Sequence, residues 1–161
     1  MLINKIFKYL TRKSNNEEIL FTVGYEGLTS ENFAERLKEN NVKVLVDVRE
    51  IPWSRKIGFS KSQLEDILNK YRIKYLHMQK LGSPSIIRKK VKENADYEYF
   101  FNKYKNHLKT QSEELKTLQK MIKHTVCCLM CYERDVEVCH RKIIVEEISR
   151  MNNNGLKIIH L

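Results

Sequence analysis

The chain reads as an α/β protein built on an open, mainly parallel, five-stranded sheet in three layers, with a short N-terminal helical extension. Two observations predict this. Short apolar runs, each five to seven residues long, recur at Ile19–Val23, Val42–Val48, Ile73–Met78, Thr125–Met130 and Leu156–His160. Between them lie segments with helical spacing, and strands separated by helices imply parallel pairing through crossovers. A third observation locates a site: most of the runs stop at short stretches rich in Gly, Arg, Cys or His. Open α/β sheets place ligands at the carboxyl ends of their strands.

Each element has a local reason. Residues 1–16 form a basic preface in which Leu2, Ile3, Ile6, Phe7 and Leu10 fall at helical spacing. Lys5 and Lys8 interrupt the apolar stretch that a signal peptide requires. The expectation is an amphipathic helix docked on the remainder, or one that meets a membrane surface or partner. The rest of the chain, 17–161, is expected to form a single α/β domain. Ile19–Val23 is the first strand, and Ser30 is placed as the N-cap of a helix running to about Asn40. Val42–Val48 is dense in β-branched residues, the strongest strand signal present. Ser60 and Gln63 are expected to form a capping box for a helix over 61–70. Ile73–Met78 is the third strand, closed by Leu81-Gly82-Ser83-Pro84. Residues 85–94 are basic and less regular. Two helices follow, over 96–108 and 112–123, the second capped by Ser112. Thr125–Met130 is the fourth strand and 136–151 a helix. Asn152-Asn153-Asn154-Gly155 is the turn into the last strand. The arrangement is Rossmann- or flavodoxin-like in class.

Composition narrows the function. The 161 residues carry 30 Lys+Arg against 20 Asp+Glu, a formal charge of +10. Such an excess favours encounters with anionic partners. Four of the nine arginines, Arg49, Arg55, Arg134 and Arg141, fall in the strand-end segments. Arginine suits bidentate grip on phosphate or carboxylate. The four cysteines crowd between 127 and 139, which fits neither a dispersed disulfide framework nor a secreted mini-domain and points to a reduced cytoplasmic setting. No apolar run is long enough to span a membrane.

Four segments carry the candidate chemistry. Gly24-Tyr25-Glu26-Gly27 is a strand-to-helix turn whose glycines permit close approach of a ligand to backbone N–H groups. It lacks the patterns of a dinucleotide fingerprint or a nucleotide P-loop. Asp47-Val48-Arg49 ends the second strand, and a desolvated acid there needs a partner, which Arg49 can be. The loop Pro52-Trp53-Ser54-Arg55 adds a guanidinium, a hydroxyl and the sole tryptophan, a potential base-stacking ring. His77 ends the third strand. The fourth segment runs from Cys131 through Glu133, Arg134 and Asp135 to Cys139, His140 and Arg141.

Several chemistries compete for this last segment. Cys131, Cys139 and His140, with His77, are metal-ligand types. Cys-x7-Cys-His, however, is not a common zinc spacing, and adjacent residues on a helix point about 100° apart, so neither metal nor cofactor is expected. Cys128-x5-Arg134 has the bare spacing of a thiol phosphatase or rhodanese loop, but its intervening residues are too bulky to encircle an anion. A Cys131 or Cys139 thiolate favoured by nearby arginines is a third possibility. The preferred reading is acid–base chemistry on an anionic substrate, with Glu133 as base or nucleophile, His140 and Cys131 assisting, and Asp47 orienting an arginine. Gly24, Tyr25, Gly27, Arg49, Ser54, Arg55, Arg134 and Arg141 are then the phosphate or substrate contacts. The expected partner is an anionic small molecule, a nucleotide or nucleic acid. A module that binds nucleic acid without catalysis is one rival, and a Cys/His thiol or metal site is the other.

From about residue 20 to 161 these motifs also resemble, in order and spacing, the family called domain of unknown function 488. The matching features are Val-Gly-Tyr-Glu-Gly; Val-Asp-Val-Arg with Pro-x-Ser-Arg and Gly-Phe-Ser; a strand-end His followed by Leu-Gly; and Cys-x-Glu-Arg with Cys-His-Arg. The resemblance implies a compact α/β domain in a soluble prokaryotic cytoplasmic protein and supplies no mechanism. Trp53 is a departure, since many relatives carry something smaller or charged there.

Overall fold

A computed structural model describes residues 18–161. The helix expected over 1–16 lies outside the described residues. Five strands pair in parallel throughout, in the order β3-β2-β4-β1-β5. They are β1 (Glu18–Gly24), β2 (Val44–Asp47), β3 (Lys74–His77), β4 (Cys127–Cys131) and β5 (Leu156–His160). The fourth strand in sequence is therefore the central one, an order unlike that of Rossmann or flavodoxin sheets. Its position explains the composition of Cys127-Cys128-Leu129-Met130-Cys131, all of it buried, since a strand covered on both faces needs no polar side.

Helices cover both faces. On one side α1 (Ser30–Glu39) and α2 (Lys61–Lys70) bury Phe33, Leu37, Leu64 and Leu68 against Phe21, Val23, Leu45 and Met130. On the other, α4 (Tyr97–Lys109), α5 (Ser112–His124) and α6 (Arg141–Met151) bury Tyr104, Leu118, Met121 and Ile144 against Leu20, Val46 and Leu129. Alternate strand residues thus serve two cores. Among the described residues no helix is long and apolar enough to cross a membrane.

Several boundaries differ from the sequence expectation. Residues 85–94, read as less regular, form helix α3 (Ser85–Asn94), with Pro84 as the residue before its first turn. Thr29, not Ser30, caps α1, its hydroxyl accepting from the Asn32 N–H at 3.1 Å. Ser60 is the N-cap residue of α2 but makes no side-chain cap bond; its hydroxyl donates to the Ser54 carbonyl at 3.2 Å, while Gln63 accepts from the Gly58 N–H at 3.1 Å. These bonds fold the 52–60 loop back onto α2. Ser112 is the first helical residue of α5, and Gln111 precedes it. The helix expected over 136–151 is two pieces, a single 3-10 turn at Val136–Val138 and α6, separated by extended backbone at Cys139.

Asp47 is fully buried at the end of β2. Its carboxylate receives Arg49 Nε at 2.9 and 3.1 Å, Arg49 Nη2 at 2.6 Å and the Tyr75 hydroxyl at 2.6 Å. The remaining Arg49 donor, Nη1, reaches the Tyr25 hydroxyl at 3.0 Å and the Phe59 carbonyl at 2.9 Å. Burial alone would lower the Arg49 pKa, but the Asp47 carboxylate outweighs it and the net shift is upward. Burial and the same carboxylate push the Tyr75 hydroxyl well up. Removing the charge from one partner leaves the other buried and uncompensated. Asp47→Asn is therefore expected to cost about 3–5 kcal/mol of unfolding free energy in denaturant titrations; a loss below about 1 kcal/mol, the range of exposed pairs, would contradict this account.

Candidate functional site

The carboxyl end of β4 leads straight into a nine-residue excursion, 132–140, before α6 begins at Arg141. Three features fix its path. Tyr25 N–H donates to the Cys131 carbonyl at 3.2 Å and Glu26 N–H to the Tyr132 carbonyl at 2.9 Å, which prolongs the β1–β4 ladder. Gly24 allows the Glu133 backbone to lie against it: a Cβ there would sit 1.8 Å from the Glu133 carbonyl oxygen. Arg141, 1% exposed, reaches back into the excursion. Its Nη2 donates to the Glu133 carbonyl at 2.5 Å, its Nε to Cys139 Sγ at 3.2 Å and its Nη1 to the Thr22 hydroxyl at 3.4 Å.

The excursion folds four reactive side chains into one cluster. Donor atoms of Cys131, Glu133, Cys139 and His140 all lie within 4.8 Å of one another. Glu133 Oε2 accepts from Cys131 Sγ at 3.0 Å and from Cys139 Sγ at 3.2 Å. His140 Nδ1 lies 3.7 Å from the first sulfur and 3.8 Å from the second. Its other nitrogen, Nε2, sits 2.8 Å from the Val48 carbonyl oxygen, an arrangement in which Nε2 carries the proton and donates. The imidazole is thus held in one orientation, with Nδ1 toward the sulfurs.

Burial sharpens the electrostatics. It opposes the Cys139 thiolate, yet the Cys131 thiol, His140 and Arg141 together hold this thiol well below its ordinary value. The bond to Cys139, with burial, pushes Cys131 well up. Burial and the nearby Cys139 charge raise Glu133. Burial opposes the imidazolium of His140, but Cys139 and Glu133 raise it. Cys128, three residues before Cys131 on the opposite face, is pushed up, chiefly by burial.

Beside the cluster a cavity of about 150 Å³ is lined by Cys131, Glu133 and His140 from this segment, Arg88 and Val91 from α3, and Tyr97, Phe100 and Val138. The three side chains expected to carry chemistry, Glu133, His140 and Cys131, are therefore together. The arginines are not. Sequence reading gathers Arg55, Arg134 and Arg141 around a crevice with Glu133, but Arg141 is spent inside the protein and Arg55 and Arg134 are exposed without lining the cavity. Arg49 is likewise buried, paired with Asp47. The guanidinium that lines the cavity is Arg88, which also pairs with Glu50 at 2.7 Å. It was missed because the 85–94 segment looked less regular; helical spacing of Ile87 and Val91 with Arg88 was the available signal.

The remaining candidates lie at the same end of the sheet on the α1–α2 side. Tyr25 stacks on Phe59 with ring centroids 4.3 Å apart, and its hydroxyl donates to the Ser54 hydroxyl at 3.3 Å. Gly27 adopts φ 81°, the left-handed region that its turn requires. Arg134 N–H donates to the Glu26 carboxylate at 3.1 Å. His77 Nε2 meets the Arg49 carbonyl at 2.8 Å, so His77 fixes the β2 exit and takes no part in the cluster. Trp53 is 63% exposed and Tyr132 46% exposed, the latter edge-on to Tyr25 at 5.4 Å.

The chain matches one family model, described as Domain of unknown function DUF488, over residues 29–148. No curated protein and no solved structure matches it. Because a methyl group at Gly24 would collide with backbone, Gly24→Ala is expected to cost about 1–3 kcal/mol and to displace the Glu133 segment. Denaturant unfolding reads the first effect and cysteine alkylation rates at 131 and 139 the second; an unchanged midpoint with unchanged alkylation would contradict it.

Proposed function

The chain belongs to the DUF488 family, and from that premise we propose that it is an enzyme acting on a phosphorylated small molecule, a nucleotide or nucleic acid at the carboxyl ends of its strands. One observation supports this above the others: Glu133, Cys131 and His140 line a single cavity with a guanidinium, Arg88, on its wall. A cavity of that size admits a phosphate-sized group and excludes a whole nucleotide, so the remainder of a larger substrate lies outside it.

The roles follow from position. Arg88 offers a forked donor set to the anion, and Arg134 and Arg55 supply exposed charge at the same end of the sheet. Glu133, half-buried and facing the cavity, takes a proton from water as the water oxygen bonds to phosphorus. The bond from phosphorus to the leaving oxygen breaks, and that oxygen takes a proton from solvent. Arg49 and Arg141 act as internal braces that hold the two loops. The aromatic residues on the α1–α2 side favour a base-bearing substrate over a bare phosphate ester, since exposed Trp53 and Tyr132 offer stacking faces.

Two experiments test this. In a phosphate-release screen of nucleotides and phosphorylated small molecules, Glu133→Gln is expected to lower turnover at least about 100-fold, while ligand-induced thermal stabilisation persists and Arg88→Ala removes that stabilisation. Turnover within a few-fold of wild type in Glu133→Gln, in a folded protein, would dismiss the assigned role. Binding of a single-stranded oligonucleotide is expected to weaken with salt at a slope of about −0.7 per phosphate contact. Trp53→Ala should remove a further 1–3 kcal/mol or so. Binding flat in salt and indifferent to Trp53 would point to a small-molecule substrate instead.

A further inference from the structure

We propose that Cys131, Cys139, His140 and Glu133 bind one zinc ion at the carboxyl end of β4. The four donor atoms already lie within 4.8 Å of one another. A tetrahedral zinc with bonds of about 2.3 Å to sulfur and about 2.0–2.2 Å to nitrogen and oxygen has donor-to-donor edges of about 3.4–3.8 Å. Both sulfur-to-imidazole edges, 3.7 and 3.8 Å, fall within that span. The two edges to Glu133 Oε2, 3.0 and 3.2 Å, need widen by only a few tenths of an ångström.

The surroundings fit a metal in three further respects. His140 directs Nδ1 inward because Nε2 is engaged by the Val48 carbonyl at 2.8 Å, the outer contact that orients metal-binding imidazoles. Arg141 Nε donates to Cys139 Sγ at 3.2 Å, a hydrogen bond suited to a metal-bound thiolate. Charge also closes: two thiolates and one carboxylate are balanced by a divalent cation and the Arg141 guanidinium. A buried centre with no net charge avoids the desolvation penalty that three anions and one cation would carry. Two thiolates with an imidazole select zinc over harder cations such as magnesium or calcium.

The expectation of no metal from sequence has two grounds, an uncommon Cys-x7-Cys-His spacing and a helix shared by Cys139 and His140, and the structure removes the second. Cys139 is extended at φ −116° and ψ 143°, and α6 starts only at Arg141. The break turns both side chains toward Cys131. Three of the ligands are almost fully buried, while Glu133 is half-buried and lines the cavity. Glu133 is thus the displaceable ligand, the pattern of a site that exchanges one position with solvent or substrate. The inference goes beyond the reading of the cavity as an active site and does not depend on it, because metal content is measured without substrate.

The test uses the full-length chain without a polyhistidine tag. Wild type dialysed against buffered zinc is expected to retain one zinc per chain. Its cobalt(II) form is expected to show the intense visible bands of tetrahedral cobalt with thiolate charge transfer. Cys139→Ser and His140→Ala should each weaken zinc binding by at least about tenfold, whereas Cys128→Ala keeps it. Should the variants fold poorly, alkylation of the wild type decides: zinc protects Cys131 and Cys139, and a chelator abolishes the protection. Folded wild type without zinc, cobalt spectra lacking thiolate charge transfer, alkylation indifferent to zinc, or unchanged zinc affinity in folded Cys139→Ser would each overturn the proposal.

Discussion

The desolvated guanidinium of Arg141 is the constraint on which the candidate site depends. An arginine stays charged wherever it is placed, so one that is 1% exposed must find its partners inside. Here they are a sulfur, a backbone carbonyl and a hydroxyl, contributed by Cys139, Glu133 and Thr22. Two of the three belong to the excursion after β4, so the demand for partners closes that segment into a loop. None of the three is a formal carboxylate. A cation buried beside the Cys139 sulfur is thus the brace of the loop.

A second buried cation does comparable work on the opposite face of the sheet. Arg49 ties Asp47, Tyr25 and the Phe59 carbonyl together, which pins the exit of β2 and the 52–60 loop to the first βα turn. The two braces meet at consecutive backbone carbonyls. His140 bonds the Val48 carbonyl and His77 the Arg49 carbonyl. The exit of β2 is therefore held by two imidazoles, one at the end of β3 and one immediately before α6. Breaking a buried pair of this kind is costly because the surviving charge has no water to turn to.

Much of this was legible in the sequence. Five apolar runs between helical segments fixed the class, because burial of parallel strands selects β-branched and apolar residues that no other element needs in such short stretches. The location of the site followed from the residues at the ends of those runs. What could not be read was pairing at a distance. Nothing in Val42–Val48 says that β4 inserts between β1 and β2, nor that Arg141 turns inward while Arg88 lines the cavity. Such choices are made by tertiary contacts between segments far apart in the chain. The convergence of Cys139 and His140 on Cys131 was hidden for a local reason. Asp135 caps a single turn and the chain then extends, so a segment with helical spacing is two elements. An Asp followed by three residues and then Cys-His was the available clue to a false start.

The central claim is that the sulfur, imidazole and carboxylate donors at the end of β4 form one centre around one ion. X-ray absorption at the zinc edge of the wild-type protein reads that centre most directly. The account predicts a first shell of two sulfurs at about 2.3 Å and two lighter atoms at about 2.0–2.2 Å, with the outer scattering of a single imidazole. A shell of nitrogen and oxygen alone, or an edge no stronger than buffer, would contradict it.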